Sequence, residues 1–262
     1  MGVVTSRQNQ FVKLARSVRS RKARDTLGLF LAEGIRLAVA AAKAGVQAEL
    51  VFTCPDLLRS DIGRHAAAAL VDAGAKQVEV STQVFHSFAG RENPTGIAII
   101  ARSRFTSIEN LDPSRGLCRV ALLSPQDPGN VGAILRTCDA VGAAGILLVE
   151  NAVDPYDPRA VRAGMGSIFN QEICRCSRDQ LLEWSSHGVM SVAVSGDASS
   201  SYRSLRYGHP LVLIMGSERE GLDRALPSDN RVRIPMCGTV DSLNLATAAA
   251  LVLYEVFAQS DQ

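Results

Sequence analysis

Residues 119–150 read "RVALLSPQDPGNVGAILRTCDAVGAAGILLVE". Two short apolar runs, "RVALLS" at 119–124 and "GILLVE" at 145–150, flank a stretch in which Ile134, Leu135 and Val141 recur at helical spacing. The reading is strand, loop, helix from about 130 to 142, strand. Strands with almost no polar alternation belong to a parallel sheet buried on both faces. The same alternation continues through a helix in "RAVRAGMGSIF", the segment "QEICRC" and a helix at 178–187. It resumes with "VMSVAVSGD", "PLVLIMGSEREGL", "RVRIP" and a long helix from Ser242 to about Phe257. This half is α/β, with a parallel sheet covered by helices, and its ligands are expected at the carboxyl ends of strands.

Upstream, short strand signals at "LFLAEG", "AELVFT", "VEV" and "GIAIIAR" alternate with helical stretches, which predicts a smaller α/β sandwich. Between the halves the sequence loses periodicity and carries Pro, Ser, Asn and Asp. The expected division is a domain at 1–105, a linker at 106–117 and a second domain at 118–262.

The chain has 262 residues, 47% of them hydrophobic and 21% charged, so a sizeable core is available. A net charge of +2 does not by itself announce a nucleic-acid partner. The local distribution does more. Residues 1–24 hold Arg7, Lys13, Arg16, Arg19, Arg21, Lys22 and Arg24 without one acid, while Phe11, Leu14 and Val18 keep helical spacing. One basic amphipathic helix over 6–22 is predicted, either an RNA contact, a solvated face or a targeting segment. No stretch has the length and freedom from charge of a membrane span, so a soluble, cytoplasmic chain is expected. The six cysteines are dispersed, and Cys174 and Cys176 stand too close for a zinc-ligand pair. Reduced, buried thiols and no metal are expected.

Three loops at predicted strand ends carry polar residues suited to chemistry. In the first, Asn130 is either a helix cap or a functional amide, and Arg136 falls in the second turn of the following helix. The spacing matches neither a phosphate loop nor a dinucleotide fingerprint. In the second, Gly216 and Gly221 bracket Glu218, which can accept a hydrogen bond from an amine or hydroxyl, or simply begin a helix. In the third, Ser242 can cap the last helix, with Asn244 two residues on.

Taken together, "NVGAILR" at 130–136, "GSEREG" at 216–221 and "SLN" at 242–244 resemble, in order and separation, the three motifs of the SpoU/TrmH family of RNA 2′-O-ribose methyltransferases, a branch of the SPOUT superfamily. The likeness covers residues 119–258. Residues 9–37 are similar to the opening of the family's RNA substrate-binding domain, which resembles small RNA-binding ribosomal proteins. The resemblance implies S-adenosyl-L-methionine held in a trefoil knot, with Ser195, Gly196, Gly216, Ile234, Met236 and Leu243 at the cofactor. It also implies Arg136 as the catalytic arginine, with Asn130, Glu218, Ser242 and Asn244 completing the constellation. Lys13, Arg16, Arg21, Lys22 and Arg36 are the RNA-contact candidates. A homodimer, a ribosomal RNA substrate, no metal and no membrane association follow from the same likeness. The alternatives are methylation of transfer RNA or a non-catalytic RNA-binding protein on the same scaffold. A nicotinamide-dependent oxidoreductase is disfavoured, because no glycine fingerprint with a downstream acid is present.

Overall fold

The structure, a computed structural model, describes residues 2–217, 221–222 and 227–260. These fall into two compact units, 1–103 with 154–170 and 104–153 with 171–262. The first unit contains α1 (Gln10–Ser17), α2 (Arg21–Leu27), β1 (Leu29–Glu33), α3 (Ile35–Lys43), β2 (Ala48–Thr53), α4 (Asp61–Asp72), β3 (Lys76–Glu79), α5 (Thr82–His86) and β4 (Ile97–Arg102). The second holds β5 (Arg119–Leu123), α6 (Pro128–Ala140) and β6 (Gly145–Val149), after which α7 (Pro158–Ala163) returns to the first. It resumes with β7 (Glu172–Cys176), α8 (Arg178–Ser185), β8 (Met190–Val194), β9 (Ser200–Ser201), β10 (Leu211–Met215), β11 (Asn230–Arg233) and α9 (Leu245–Ser260).

In the first unit four strands lie in the order β1-β4-β2-β3, antiparallel except for β2 with β3. Val12, Ala15 and Val18 pack against Leu31, Phe52, Phe85 and Ile100. The predicted single helix over 6–22 is two helices. Asn9 caps α1 and Ser20 opens α2 by accepting from the Ala23 amide at 3.3 Å. Short hydroxyl side chains that bond to nearby backbone interrupt helices in this way. Arg24, grouped by sequence with the basic face, is buried instead. Its Nε donates to Asp154 Oδ2 at 2.6 Å, its Nη2 to Asp157 at 3.3 Å, and its Nη1 to the carbonyls of Val18 and Arg19.

That ion pair brings residues 154–170 into this unit. Tyr156 and Phe169 stack against Phe30 with ring centroids 4.6 and 6.1 Å away. "RAVRAGMGSIF" is not one helix: α7 stops at Ala163, Met165 and Gly166 take φ of 52° and 110°, and a single 3-10 turn follows. A Cβ on Gly166 would sit 2.5 Å from Ala40 Cβ, so the close approach of this turn to α3 requires glycine there.

The second unit is a seven-stranded parallel sheet, in the order β7-β6-β5-β10-β8-β11-β9. Ala121, Leu123, Leu147, Val149, Val212 and Ile214 face one core with α8. The intervening residues point to the opposite face, as strand geometry demands, and α6, packed on β6 and on α9, lies there. Ile108 and Leu111, from the expected linker, are buried in the first of these cores. All six cysteines are free and only Cys237 is exposed. Burial pushes the Cys118 thiol up to about 12 and Cys138 well above its ordinary value.

At the amino end of β5 the guanidinium of Arg119, 1% exposed, donates to Glu172 at 2.7 Å and to the Asp112 carbonyl at 3.0 Å. Its Nε and Nη1 have no partner among the described residues, and Glu172 is the one carboxylate it bonds to there. Glu172→Ala strands a buried cation and should lower unfolding free energy in urea by about 3 kcal/mol. The double change Arg119→Met with Glu172→Leu should recover most of that loss.

Candidate functional site

Parallel strands bring their carboxyl ends to one edge, and there the loops after β8, β10 and β11 enclose a cavity of about 610 Å³ with the start of α9. Ser195, Gly196, Gly216, Ile234, Met236 and Leu243, the residues expected at the cofactor, all line it. The topology is why: β10 lies between β5 and β8, where the chain's direction of travel across the sheet reverses, and such switch points are where open α/β sheets bind ligands.

Gly216 is essential to the shape. A Cβ on it would fall 2.0 Å from the Gly221 carbonyl oxygen, inside any possible contact. The Gly221 amide donates to the Ser217 carbonyl at 3.1 Å, which ties Gly221 to the residue that follows Gly216. On the opposite wall the Ser195 amide is held by the Val232 carbonyl at 2.9 Å, and its hydroxyl bonds to Asp197.

The third loop differs from expectation. The last helix begins at Leu245, and its cap is Asn244 rather than Ser242: Asn244 Oδ1 accepts from the amides of Ala246 at 2.9 Å and Thr247 at 3.3 Å. Ser242 instead faces the cavity. The other half of the Asn244 amide donates to Asn130 Oδ1 at 2.9 Å, a bond between positions 114 residues apart. Asn130 is itself buried and is not a cap. Asp127 caps α6, accepting from the Gly129 amide at 2.8 Å, with Pro128 opening the helix. The first and third motifs thus meet through two asparagines.

Arg136 stands apart. It is exposed on α6, does not line the cavity, and has no hydrogen-bond or ion-pair partner among the described residues. Glu218 lies outside the described residues. Lys13, Arg16, Arg21, Lys22 and Arg36 are exposed in the first unit, on α1, α2 and α3, and Arg21 pairs with Asp25 at 3.6 Å. Sequence reasoning missed Asp241, the only acid lining the cavity among the described residues, though it directly precedes Ser-Leu-Asn. Among the described residues no group of His, Cys, Asp or Glu is arranged to hold a metal, and no helix is long and apolar enough to cross a membrane.

Residues 118–254 match the model of the SpoU rRNA Methylase family, and residues 9–99 match that of the MRM3-like substrate binding domain. A 23S rRNA (uridine(2479)-2′-O)-methyltransferase of Streptomyces viridochromogenes is 27% identical over 98% of this chain and 92% of its own. A 23S rRNA (guanosine(2553)-2′-O)-methyltransferase of Bacillus subtilis is 27% identical over 98% and 99%. Among solved structures, an AdoMet-bound rRNA methyltransferase from Sinorhizobium meliloti superposes with a TM-score of 0.88 at 36% identity, covering 97% of each chain.

The cavity fits S-adenosylmethionine on its own chemistry. Its volume is in the range of small-ligand pockets, about 300–1,000 Å³. Ile234, Met236 and Leu243 supply apolar walls for a base, bare backbone at Gly196 permits close approach, and Asp241 offers acceptors to hydroxyl or ammonium groups.

Asn244 has two separable duties. Asn244→Ala should lower stability by about 1–2 kcal/mol through loss of the cap. Asn244→Asp keeps an acceptor for the cap but cannot donate to Asn130. It should therefore regain most of that stability in urea titration while weakening cofactor affinity in calorimetry.

Proposed function

The chain belongs to the SpoU rRNA methylase family, and from that premise we propose that it transfers a methyl group from S-adenosyl-L-methionine to a ribose 2′-hydroxyl of ribosomal RNA. The observation that carries this reading is the convergence of all six expected cofactor residues on one strand-end cavity, linked by the Asn244–Asn130 bond to the helix bearing Arg136. Ribosomal rather than transfer RNA is favoured by the 23S rRNA named for two relatives aligned over nearly the whole chain.

Ser195, Gly196, Gly216, Ile234, Met236 and Leu243 hold the cofactor, which supplies an electrophilic methyl group on a positively charged sulfur. The remaining work is to align the acceptor oxygen and relieve it of its proton. Arg136 has a guanidinium that stays charged at any working pH, so its task is to hold the acceptor's phosphate and steer the 2′-oxygen. Ser242 and Asn244 at the cavity mouth orient the ribose, and Asn130 fixes Asn244. Glu218 completes the set as an acceptor.

The trefoil knot, formed by the last loops, belongs to this reading. So does the assignment of the first unit, 1–103 with 154–170, to substrate binding and of the second, 104–153 with 171–262, to methyl transfer, the enzyme working in the cytoplasm. Because Arg136 does not line its own chain's cavity, the complete site is built by a homodimer, one protomer presenting the arginine to its partner's cofactor loops. The exposed Leu251, Tyr254 and Phe257 of α9 supply an apolar face for that pairing.

Arg136→Ala should reduce methyl transfer to ribosomal RNA by about 10²–10³-fold. Its affinity for S-adenosylmethionine, measured by calorimetry, should stay near that of the unaltered chain, and near-normal turnover would remove Arg136 from the mechanism. In sedimentation the chain should run as a dimer, and Tyr254→Glu should shift it to monomer and abolish turnover.

A further inference from the structure

In the first unit, well apart in sequence from the cofactor loops, three guanidinium groups and one carboxylate surround a small recess. Arg19 lies in the turn between α1 and α2, Glu33 ends β1, Gly90 and Arg91 follow α5, and Arg162 sits on α7. Arg19 Nη1 donates to the carbonyls of Phe88 at 3.0 Å and Ala89 at 2.7 Å, which fastens the loop carrying Gly90. The Gly90 amide donates to Glu33 Oε2 at 2.6 Å. A Cβ on Gly90 would lie 3.5 Å from Arg162 Nη2, 3.5 Å from Glu33 Oε2 and 3.7 Å from Arg19 Nη2, so these charges crowd one bare stretch of backbone.

The recess is both charged and incomplete. Three cations against one carboxylate leave an excess of two positive charges. Glu33 Oε1 is buried with no hydrogen-bond partner among the described residues, as is the hydroxyl of Thr95, whose oxygen lies 3.8 Å from where a Cβ on Gly34 would be. Arg91 reaches the same point, its guanidinium carbon also at 3.8 Å. A lone anion would satisfy the arginines and leave Glu33 Oε1 unmet, whereas a cation would be repelled. A ligand that brings negative charge and a hydrogen-bond donor together would satisfy the arginines and Glu33 Oε1 at once.

Size narrows it further. The cavity volume is about 30 Å³, on the order of two water-sized groups at roughly 10–15 Å³ each. A base or a sugar ring does not enter, but a hydroxyl or a phosphate oxygen does. We infer that this recess is a ribonucleotide-backbone subsite: Arg91 and Arg162, with the free edge of Arg19, hold a phosphodiester, and the adjacent ribose 2′-hydroxyl donates to Glu33 Oε1. The inference rests on the RNA substrate proposed above and adds to it a place where the first unit tells RNA from DNA. A 2′-hydroxyl is the group that makes this distinction, and phosphate contacts hold any sequence in register.

The test uses the full chain and a fluorescein-labelled single-stranded RNA of mixed sequence, its DNA counterpart, and fluorescence anisotropy across a salt series. Arg91→Ala and Arg162→Ala, both at exposed positions, should each weaken RNA binding about tenfold and reduce the slope of log affinity against log salt by about 0.7. The unaltered chain should bind the RNA probe about tenfold more tightly than the DNA, and Glu33→Ala should erase that preference while leaving the salt slope unchanged. A 2′-O-methyl RNA probe, which cannot donate, should behave as the DNA does and needs no variant that could disturb folding. Wild-type affinity and slope in both arginine variants, or equal binding of the three probes by the unaltered chain, would overturn the subsite. Failure of the enzymatic reading has a separate signature, absence of methyl transfer to ribosomal RNA by the unaltered chain.

Discussion

The seven strands of the larger sheet run in one direction, and the candidate site depends on that constraint. Parallel neighbours cannot be joined by a tight turn, so the chain must cross over after each strand, and the loops at the carboxyl edge come from distant segments. Residues 195–196, 216–217 and 234–236 meet because β8, β10 and β11 share this polarity, with β8 bonded to both of the others. An antiparallel strand among them would have sent one loop to the opposite edge and left the cavity with a missing wall.

Polarity alone would produce a cleft without fixing its mouth. Asn244 does this with both ends of one amide, its oxygen satisfying the first free amides of α9 and its nitrogen reaching Asn130 in the first turn of α6. Side-chain caps normally serve only the helix they begin. Here the cap also sets where α9 starts relative to α6, so the helix carrying Arg136 and the loop carrying Ser242 are held in one frame. Gly216 acts in the same direction by letting the second loop close to a distance that no side chain permits.

The apolar strands and the parallel sheet are legible in the amino-acid sequence, because hydrophobic pattern is a local property, and the six cavity residues are reached only through the likeness of three short motifs to the SpoU/TrmH family. What the sequence hides depends on partners far along the chain. Asn130 and Asp127 both have the chemistry of a helix cap, and only the path of the backbone selects Asp127. Ser242 and Asn244 pose the same choice two residues apart, resolved by the bond to Asn130. Arg24 looks like its basic neighbours until Asp154 is placed beside it, and the break between α1 and α2 rests on a serine that could equally have sat within a helix. The charge asymmetry around Glu33 is illegible for the same reason, since Arg19, Arg91 and Arg162 are scattered over more than half the chain.

The pairing of Arg24 with Asp154 joins residues 130 positions apart within one unit, both 4% exposed. A chain ended after residue 103 would hold that arginine in apolar surroundings without its carboxylate and would leave Phe30 without Tyr156. The smaller unit is therefore discontinuous, and its assembly has a timetable. During synthesis, all its strands are made about fifty residues before the segment that completes it. At about 5–20 residues per second the wait is several seconds. Throughout that interval β5, α6 and β6 are made while the smaller unit still lacks its closing segment, so the first strands of the larger unit exist before the smaller one can be completed.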